Sequence, residues 1–375
     1  MKLSGIKVVD LSVFLPGPYT TQMLADHGAE VIKIENPGEG DPARTIGPAY
    51  GVASVFFHNV NRGKKSVALD LKTPAGRENL LRLCDDADVF VESFRPGAVK
   101  RLGVDYEVVR ARNPRIVYCS ISAFGQTGPY RNRPAHDLAV QAISGAQSLT
   151  LGMDGRPAMT GVAVADIVSG LHALSGILMA LLRARTTGRG DYIDISMHEA
   201  ALASFPNVLG PVFASGEQPD VGKSRTGGGA AFYQIYETKD GRHLALGGQE
   251  PKFAAALLTW LDRPDLLPVC ALPPGSQEPV IAFLRERFLS KTLAEWQEEL
   301  AALDVCFGPV NSLPEALADP HVAEREIVLI DAAGRRHLAP VIRFRDEPAR
   351  ISFAVPGHGE HTGATLGTAS ATRAT

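Results

Sequence analysis

The chain has 375 residues, 45% of them hydrophobic, with 38 lysines and arginines against 41 acidic residues and a net charge of −3. A chain this long buries a sizeable core and is expected to form two domains. The near-neutral balance excludes a whole-molecule basic field for nucleic acid, and the apolar stretch from Leu171 to Leu182 is too short to span a bilayer. Met1 to Asp10 lacks the apolar centre of a signal peptide, so a cytoplasmic protein without membrane or nucleic-acid partners is expected.

The first half alternates strand and helix. Ile6 to Leu11 reads as a strand, Pro18 opens a helix that Gly28 ends, and Val31 to Glu35 is the next strand. Ser66 to Leu71 follows as a strand, and Thr73-Pro74 supplies N-cap and first turn for a helix reaching Ala87. Val89 to Phe94 and Arg115 to Ala123 are further strands. Such alternation predicts an α/β fold with a parallel, doubly wound sheet. The first turn, Phe14-Leu15-Pro16-Gly17-Pro18, lacks the spaced glycines of a dinucleotide fingerprint.

Farther along, Gly161-Val162-Ala163-Val164-Ala165 reads as a buried strand delivering Asp166 to a long helix from Ile167 to Arg183. A carboxylate there faces unpaired backbone N–H groups, which favour the anion. Asp166 is therefore either an ordinary N-cap or a placed nucleophile.

The character changes after the polar, glycine-bearing stretch from Ser215 to Gly229. Phe232 to Glu237 and His243 to Gly247 flank Lys239-Asp240-Gly241, a hairpin signal, with helices expected at Pro251 to Leu261, Pro279 to Phe288 and Leu293 to Leu303. This predicts a smaller α+β domain. The tail from about Thr368 is expected to fray. Cys84, Cys119, Cys270 and Cys306 are far apart, and no cysteine or histidine pair has metal-ligand spacing, so buried thiols and no metal are expected.

Six segments in order carry a resemblance: Leu-Pro-Gly-Pro at 15–18, Leu-Ala-Asp-x-Gly-Ala-Glu-Val-Ile-Lys-Ile-Glu at 24–35, Asn-Arg-Gly-Lys-Lys-Ser-Val-Ala-Leu-Asp-Leu-Lys at 61–72, Phe-Arg-Pro-Gly at 94–97, Val-Ala-Asp at 164–166 and Gly-Glu-His-Thr at 359–362. Together they closely resemble the class III CoA-transferases, the CaiB/BaiF family, which also holds α-methylacyl-CoA racemases. The resemblance implies an interlocked homodimer. Each subunit would have a Rossmann-like large domain (1–205 and 321–375), a linker with a glycine loop (206–229), a small α+β domain (230–305) and a return linker (306–320).

It also implies acyl-CoA and a carboxylic acid as substrates, with no tightly bound cofactor. Asp166 would attack the thioester and form an acyl anhydride. The helix amides would hold it ionised, and burial would restore its basicity. Arg101 is the leading CoA-phosphate residue by resemblance, with Leu69, Leu71, Lys72 and Phe94 near the nucleotide. Arg95 and Lys64 add basic character in a slightly acidic chain. Gly227-Gly228-Gly229 resembles a mobile loop that closes over the aspartate; a flexible linker is the alternative. Two departures stand out: Asn36 occupies a position where many relatives carry arginine, and Leu15 one where formyl-CoA transferase has glutamine.

Transfer and racemisation leave different marks. Racemases use a histidine and an aspartate on opposite faces of the substrate α-carbon. His136-Asp137 resembles their Gly-His-Asp, and Glu250 in Gly-Gln-Glu-Pro-Lys-Phe resembles their Ile-Glu-Pro-Gln-Phe, although Glu250 also suits a helix cap before Pro251. Asp166-Ile-Val-Ser-Gly, Gly308-Pro-Val-Asn311 and Glu315-Ala-Leu-Ala-Asp-Pro-His321 resemble transferases. CoA transfer is the favoured expectation, racemisation the alternative, and a non-catalytic CoA-binding protein a minor third.

Overall fold

The structure is a computed structural model that describes residues 1–152 and 154–371. Six strands form one parallel sheet: β1 (Lys7–Leu11), β2 (Glu30–Glu35), β3 (Lys65–Ala68), β4 (Val89–Glu92), β5 (Val117–Ser122) and β6 (Tyr192–Ser196). Their spatial order is β3-β2-β1-β4-β5-β6. Val8 pairs in register with Val31 on one side and Val89 on the other. Successive side chains point to opposite faces. Val8, Val31 and Val89 therefore enter one core with Leu24, Ala173 and Ile177, whereas Val9, Ile32 and Phe90 enter a second with Leu80, Leu83 and Tyr118. Apolar residues on both faces are what a sheet covered on both sides requires.

Four helices matter for the site: α1 (Pro16–Asp26), α2 (Pro74–Cys84), α3 (Asp137–Ile143) and α4 (Val164–Thr187). Pro16 and Pro18 sit in the uncapped first turn of α1, where the missing N–H groups need no partner. A Cβ on Gly17 would lie 2.2 Å from Ser12 Cβ, so glycine lets α1 press against the end of β1. Thr73 caps α2, accepting from the Gly76 N–H. Helix α4 is long and apolar enough to cross a membrane by length and composition. Its face of Ala165, Ser169, Ala173, Ile177, Leu181 and Ala184 is nonetheless buried, with Ala165, Ala173, Ile177 and Leu181 in the first core.

The chain switches direction between β1 and β4, building strands outward on either side. In such sheets ligands bind outside the carboxyl ends of the strands at that reversal. The loops after β1, β3 and β4, and the start of α4 in the crossover from β5 to β6, all fall on this edge. The late motif at 359–362 has a structural job. The N–H groups of Gly359 and His361 donate to Ser66, while Thr362 Oγ1 accepts from Ala68 N–H, fastening the chain end to edge strand β3.

The chain divides into two compact units, one of Met1–Thr150, Ala158–Phe205 and Ala323–Thr375, the other of Leu151–Pro157 and Pro206–Val322. The second unit holds an antiparallel sheet of β7 (Gln234–Glu237), β8 (His243–Leu246) and β9 (Phe307–Pro309), with β8 central. Helices Pro251–Trp260, Glu278–Phe288 and Leu293–Leu300 bury Leu257, Leu284 and Trp296 around Tyr236.

The structure corrects several expectations. Gly161 to Ala165 is no buried strand: Val162 is 62% exposed, and α4 already begins at Val164. The segment expected as linker at 206–229 contains the helix Pro206–Ser215, and that at 306–320 contains β9 and the helix Leu313–Ala318. The helix Thr362–Ala371 takes in the start of the tail expected to fray; residues 372–375 lie outside the described ones.

Candidate active site

Asp166 is the third residue of α4, not its N-cap; Ala163 occupies that position and offers no side-chain bond. The first-turn amides are taken by another carboxylate. Asp137 Oδ1 accepts from Ala165 N–H at 2.8 Å and from Asp166 N–H at 3.2 Å. The anion-favouring end of the helix is thus filled by Asp137, correcting the expectation that these amides hold Asp166 ionised. Asp166 is partly buried. Burial pushes its carboxyl up to about 7, and the Asp137 charge pushes the same way. Among the described residues no lysine or arginine pairs with either carboxylate.

His136 occupies the N-cap position of α3, and its exposed ring makes no capping bond. The ring meets Phe14 edge-on, with centroids 5.7 Å apart. Phe14 has φ +64°, a left-handed conformation costing a bulky residue about 1–2 kcal/mol. Its neighbours hold it there: Asp41 Oδ1 accepts from Phe14 N–H at 3.3 Å, and Ser93 Oγ accepts from Val13 N–H at 3.0 Å. His136, Asp137 and Asp166 thus gather at the start of two helices, with Phe14 packed on the histidine.

The CoA-binding expectations divide. Leu69 is buried in the second core, and Leu71 and Phe94 pack against that same core. Lys72, Arg95 and Arg101 are exposed, without an ion-pair partner among the described residues. Gly97, at φ +82°, turns the chain after Phe94-Arg95-Pro96, and a Cβ there would lie 3.4 Å from Arg101 Nη1.

Lys64 is different, and the expectation that it lends charge to CoA phosphates is corrected. Its ammonium is enclosed, 2.7 Å from Thr21 Oγ1, 2.9 Å from Asn61 Oδ1, 3.0 Å from the Pro18 carbonyl and 3.1 Å from Asp10 Oδ2. Three ammonium hydrogens facing four acceptors leave nothing for a ligand. In the same basic run, Arg62 pairs with Asp26 at 2.8 Å and Lys65 with Glu30.

Gly227 and Gly228 lie in a turn within the second unit, and Gly229 follows it. A Cβ on Gly227 would lie 2.2 Å from the Val221 carbonyl oxygen, and one on Gly229 would lie 2.4 Å from the Lys223 carbonyl carbon; Gly228 has φ +100°. Gln234 Nε2 and Gly275 N–H donate to the Gly228 and Gly229 carbonyls, each at 2.7 Å. Glu250, in the same unit, is the N-cap residue of Pro251–Trp260 by position, but its side chain makes no capping bond.

Sequence reasoning missed Glu92 at the end of β4. It is buried with no cation paired to it among the described residues, accepts from Phe94 N–H at 2.8 Å and from Ser120 Oγ, and burial pushes it up to about 8. A glutamate closing an apolar strand just before Phe94-Arg95 was the available signal.

These are the features of a doubly wound α/β enzyme. The profile of CoA-transferase family III matches residues 3–362, and the chain belongs to that family. It is 34% identical to a succinate–glutarate CoA-transferase of Agrobacterium fabrum, over 96% of this chain and 93% of the relative. It is also 34% identical to an α-methylacyl-CoA racemase of Homo sapiens, over 96% and 92% respectively. A solved CaiB/BaiF family protein from Brucella suis superposes with a TM-score of 0.86 at 34% identity, covering 98% of this chain and 99% of that one.

Proposed function

We propose that the enzyme moves CoA from an acyl-CoA thioester to a free carboxylic acid, with Asp166 as nucleophile. The observation carrying this reading is the Asp166 carboxyl, held beside Asp137 with no cation paired to it among the described residues and raised to about 7. A carboxylate with that affinity for a proton is a stronger nucleophile than a surface aspartate and is still substantially ionised at neutral pH.

An Asp166 oxygen attacks the thioester carbonyl, the C–S bond breaks, and CoA leaves as thiolate. The thiolate attacks the aspartyl carbonyl of the anhydride, freeing the donor acid. The acceptor carboxylate displaces CoA from the aspartyl thioester, and the thiolate takes the new acyl group from the second anhydride. Asp166 ends as it began, and no oxidant, reductant or net proton is consumed.

The adenine and phosphates of CoA fit the edge where Leu71 and Phe94, packed over the core that holds Leu69, supply apolar surface and Lys72, Arg95 and Arg101 exposed charge. Arg101→Ala should raise the KM for acyl-CoA about tenfold with little change in Tm; an unchanged KM removes Arg101 from the site. A homodimer is supported by apolar side chains left open on α4: Leu171, Leu178, Met179 and Leu182, the last 72% exposed.

Racemisation is the second reading. It rests on His136, whose exposed ring stands one residue from the Asp137 that touches Asp166. Mass spectrometry in deuterated water with a panel of acyl-CoAs, led by succinyl- and glutaryl-CoA and including a 2-methylacyl-CoA, separates the two. CoA exchange without α-deuterium supports transfer; α-deuterium incorporation without exchange overturns it.

A further inference from the structure

The α4 amides engage one oxygen of Asp137, Oδ1, and leave its other oxygen, Oδ2, to a further donor. Among the described residues no lysine or arginine pairs with Asp137, and a neutral donor can bind its second oxygen. Gln141, one turn farther along α3 and 2% exposed, is placed to be that donor. Its Nε2 lies within hydrogen-bond distance of Asp137 Oδ2 and 3.4 Å from the Val162 carbonyl. Its Oε1 accepts from Thr160 Oγ1 at 3.2 Å, and that hydroxyl is also 3.1 Å from the Val162 carbonyl. One buried amide therefore links α3, the segment entering α4 and the carboxylate capping α4.

We propose that Gln141 is a positioning residue for the reaction: it holds Asp137 on the first turn of α4 and the Thr160–Val162 segment beside it, and so fixes the direction in which Asp166 presents its carboxylate. This rests on Asp166 being the nucleophile. Neutrality is central to the role, since an ammonium or guanidinium at this position would pair with Asp137 and Asp166 and hold Asp166 ionised but unreactive. Besides Asp137 and Asp166, the titratable groups nearby in the fold are His136 before α3, and His198 and Glu199 on the helix Met197–Ala203, which packs on α3.

Three variants of the full-length enzyme test it, with kcat and KM for CoA exchange measured from pH 5.5 to 9. Gln141→Leu, similar in size but without hydrogen bonds, should lower kcat about tenfold to a hundredfold at unchanged KM for acyl-CoA. Gln141→Glu donates to Asp137 only while protonated, so its rate should fall on the alkaline side, where wild type is flat. Thr160→Val, which removes the hydroxyl without emptying the core, should show a smaller kcat loss of the same kind and guards against a misfolded Gln141→Leu. Wild-type kcat in Gln141→Leu, or a Gln141→Glu profile parallel to wild type, overturns the inference. Acyl labelling of Asp166 in wild type separates that result from a failure of the underlying reading, because label at Asp166 with insensitive Gln141 variants contradicts Gln141 alone.

Discussion

Two groups of carboxylates in the same unit, one buried and one partly buried, are treated in opposite ways. Beneath the first crossover, Asp10 meets Lys64 at 3.1 Å, Asp41 meets Lys33 at 2.8 Å and Glu35 meets Arg44 at 2.7 Å. Burial pushes Asp10 and Glu35 upward. It is outweighed by Lys64 and Lys33 at Asp10, and by hydrogen bonds from Arg44 and Ser66 at Glu35, so both end at about 2. At the start of α4, Asp137 accepts the amides of Ala165 and Asp166, and the Asp166 carboxyl beside it rises to about 7. A buried carboxylate with a cation is fixed as an anion and inert; one without a cation and beside a second carboxylate keeps an available electron pair. The first arrangement builds a support under the loop carrying Phe14, and the second builds a reagent.

The sharpest way to break this contrast is to remove the reagent. Asp166→Ala should reduce CoA exchange by at least about a thousandfold while leaving the protein folded, since no other carboxylate can form the anhydride. Substantial residual exchange would move the chemistry elsewhere.

Removing a cation from the support should act on stability instead. Lys64→Met strands Asp10 in the interior and should cost about 3–5 kcal/mol in chemical denaturation. A loss below about 1 kcal/mol would mean that the pair is not buried in solution.

The two groups should also respond to pH with opposite sign. Asp10 and Glu35 have folded values below their unfolded ones, so their stabilisation is present above about pH 4 and is lost as pH falls toward 2. Asp166 has a raised folded value, so ionising it costs stability as pH climbs from about 4 through 7. Asp166→Asn should therefore stabilise the fold by about 1–3 kcal/mol at pH 8 and leave it unchanged at pH 3.5, as thermal melts would report. A gain equal at both pH values contradicts the raised carboxyl.

The smallest effect concerns the origin of that shift. Burial is its larger cause and Asp137 the lesser. Asp137→Asn keeps an oxygen for the α4 amides but removes the charge, so the acid limb of the exchange rate should move down by roughly one pH unit. No movement would assign the shift to burial alone.

Sequence pattern revealed much of this frame and less of the site. The strands at β1, β2, β4 and β5 and the Thr73 cap were legible because apolar periodicity and capping are local. The segment before Asp166 misled because a run of valine and alanine has the composition of a buried strand, while here the Val162 carbonyl meets Gln141 and Thr160 side chains instead of a neighbouring strand. Strand β6 went unread: it carries Asp194 amid its apolar residues. Lys64 looked like a charge offered to CoA because the groups enclosing it come from Asp10, Pro18 and Thr21, more than forty residues away in sequence. Asp166 and Asp137 were each legible as candidates, but their meeting was not: only the fold delivers Asp137 to the same helix end.

The most direct measurement is chemical trapping on Asp166. After incubation with acyl-CoA alone and quenching in hydroxylamine, peptide mass spectrometry should find a hydroxamate at Asp166, with the rate of labelling rising through an apparent pKa near 7 and no label at Asp10 or Asp41. Label absent from Asp166 while the enzyme still turns over, or found on another carboxylate, would contradict the anhydride chemistry proposed for this site.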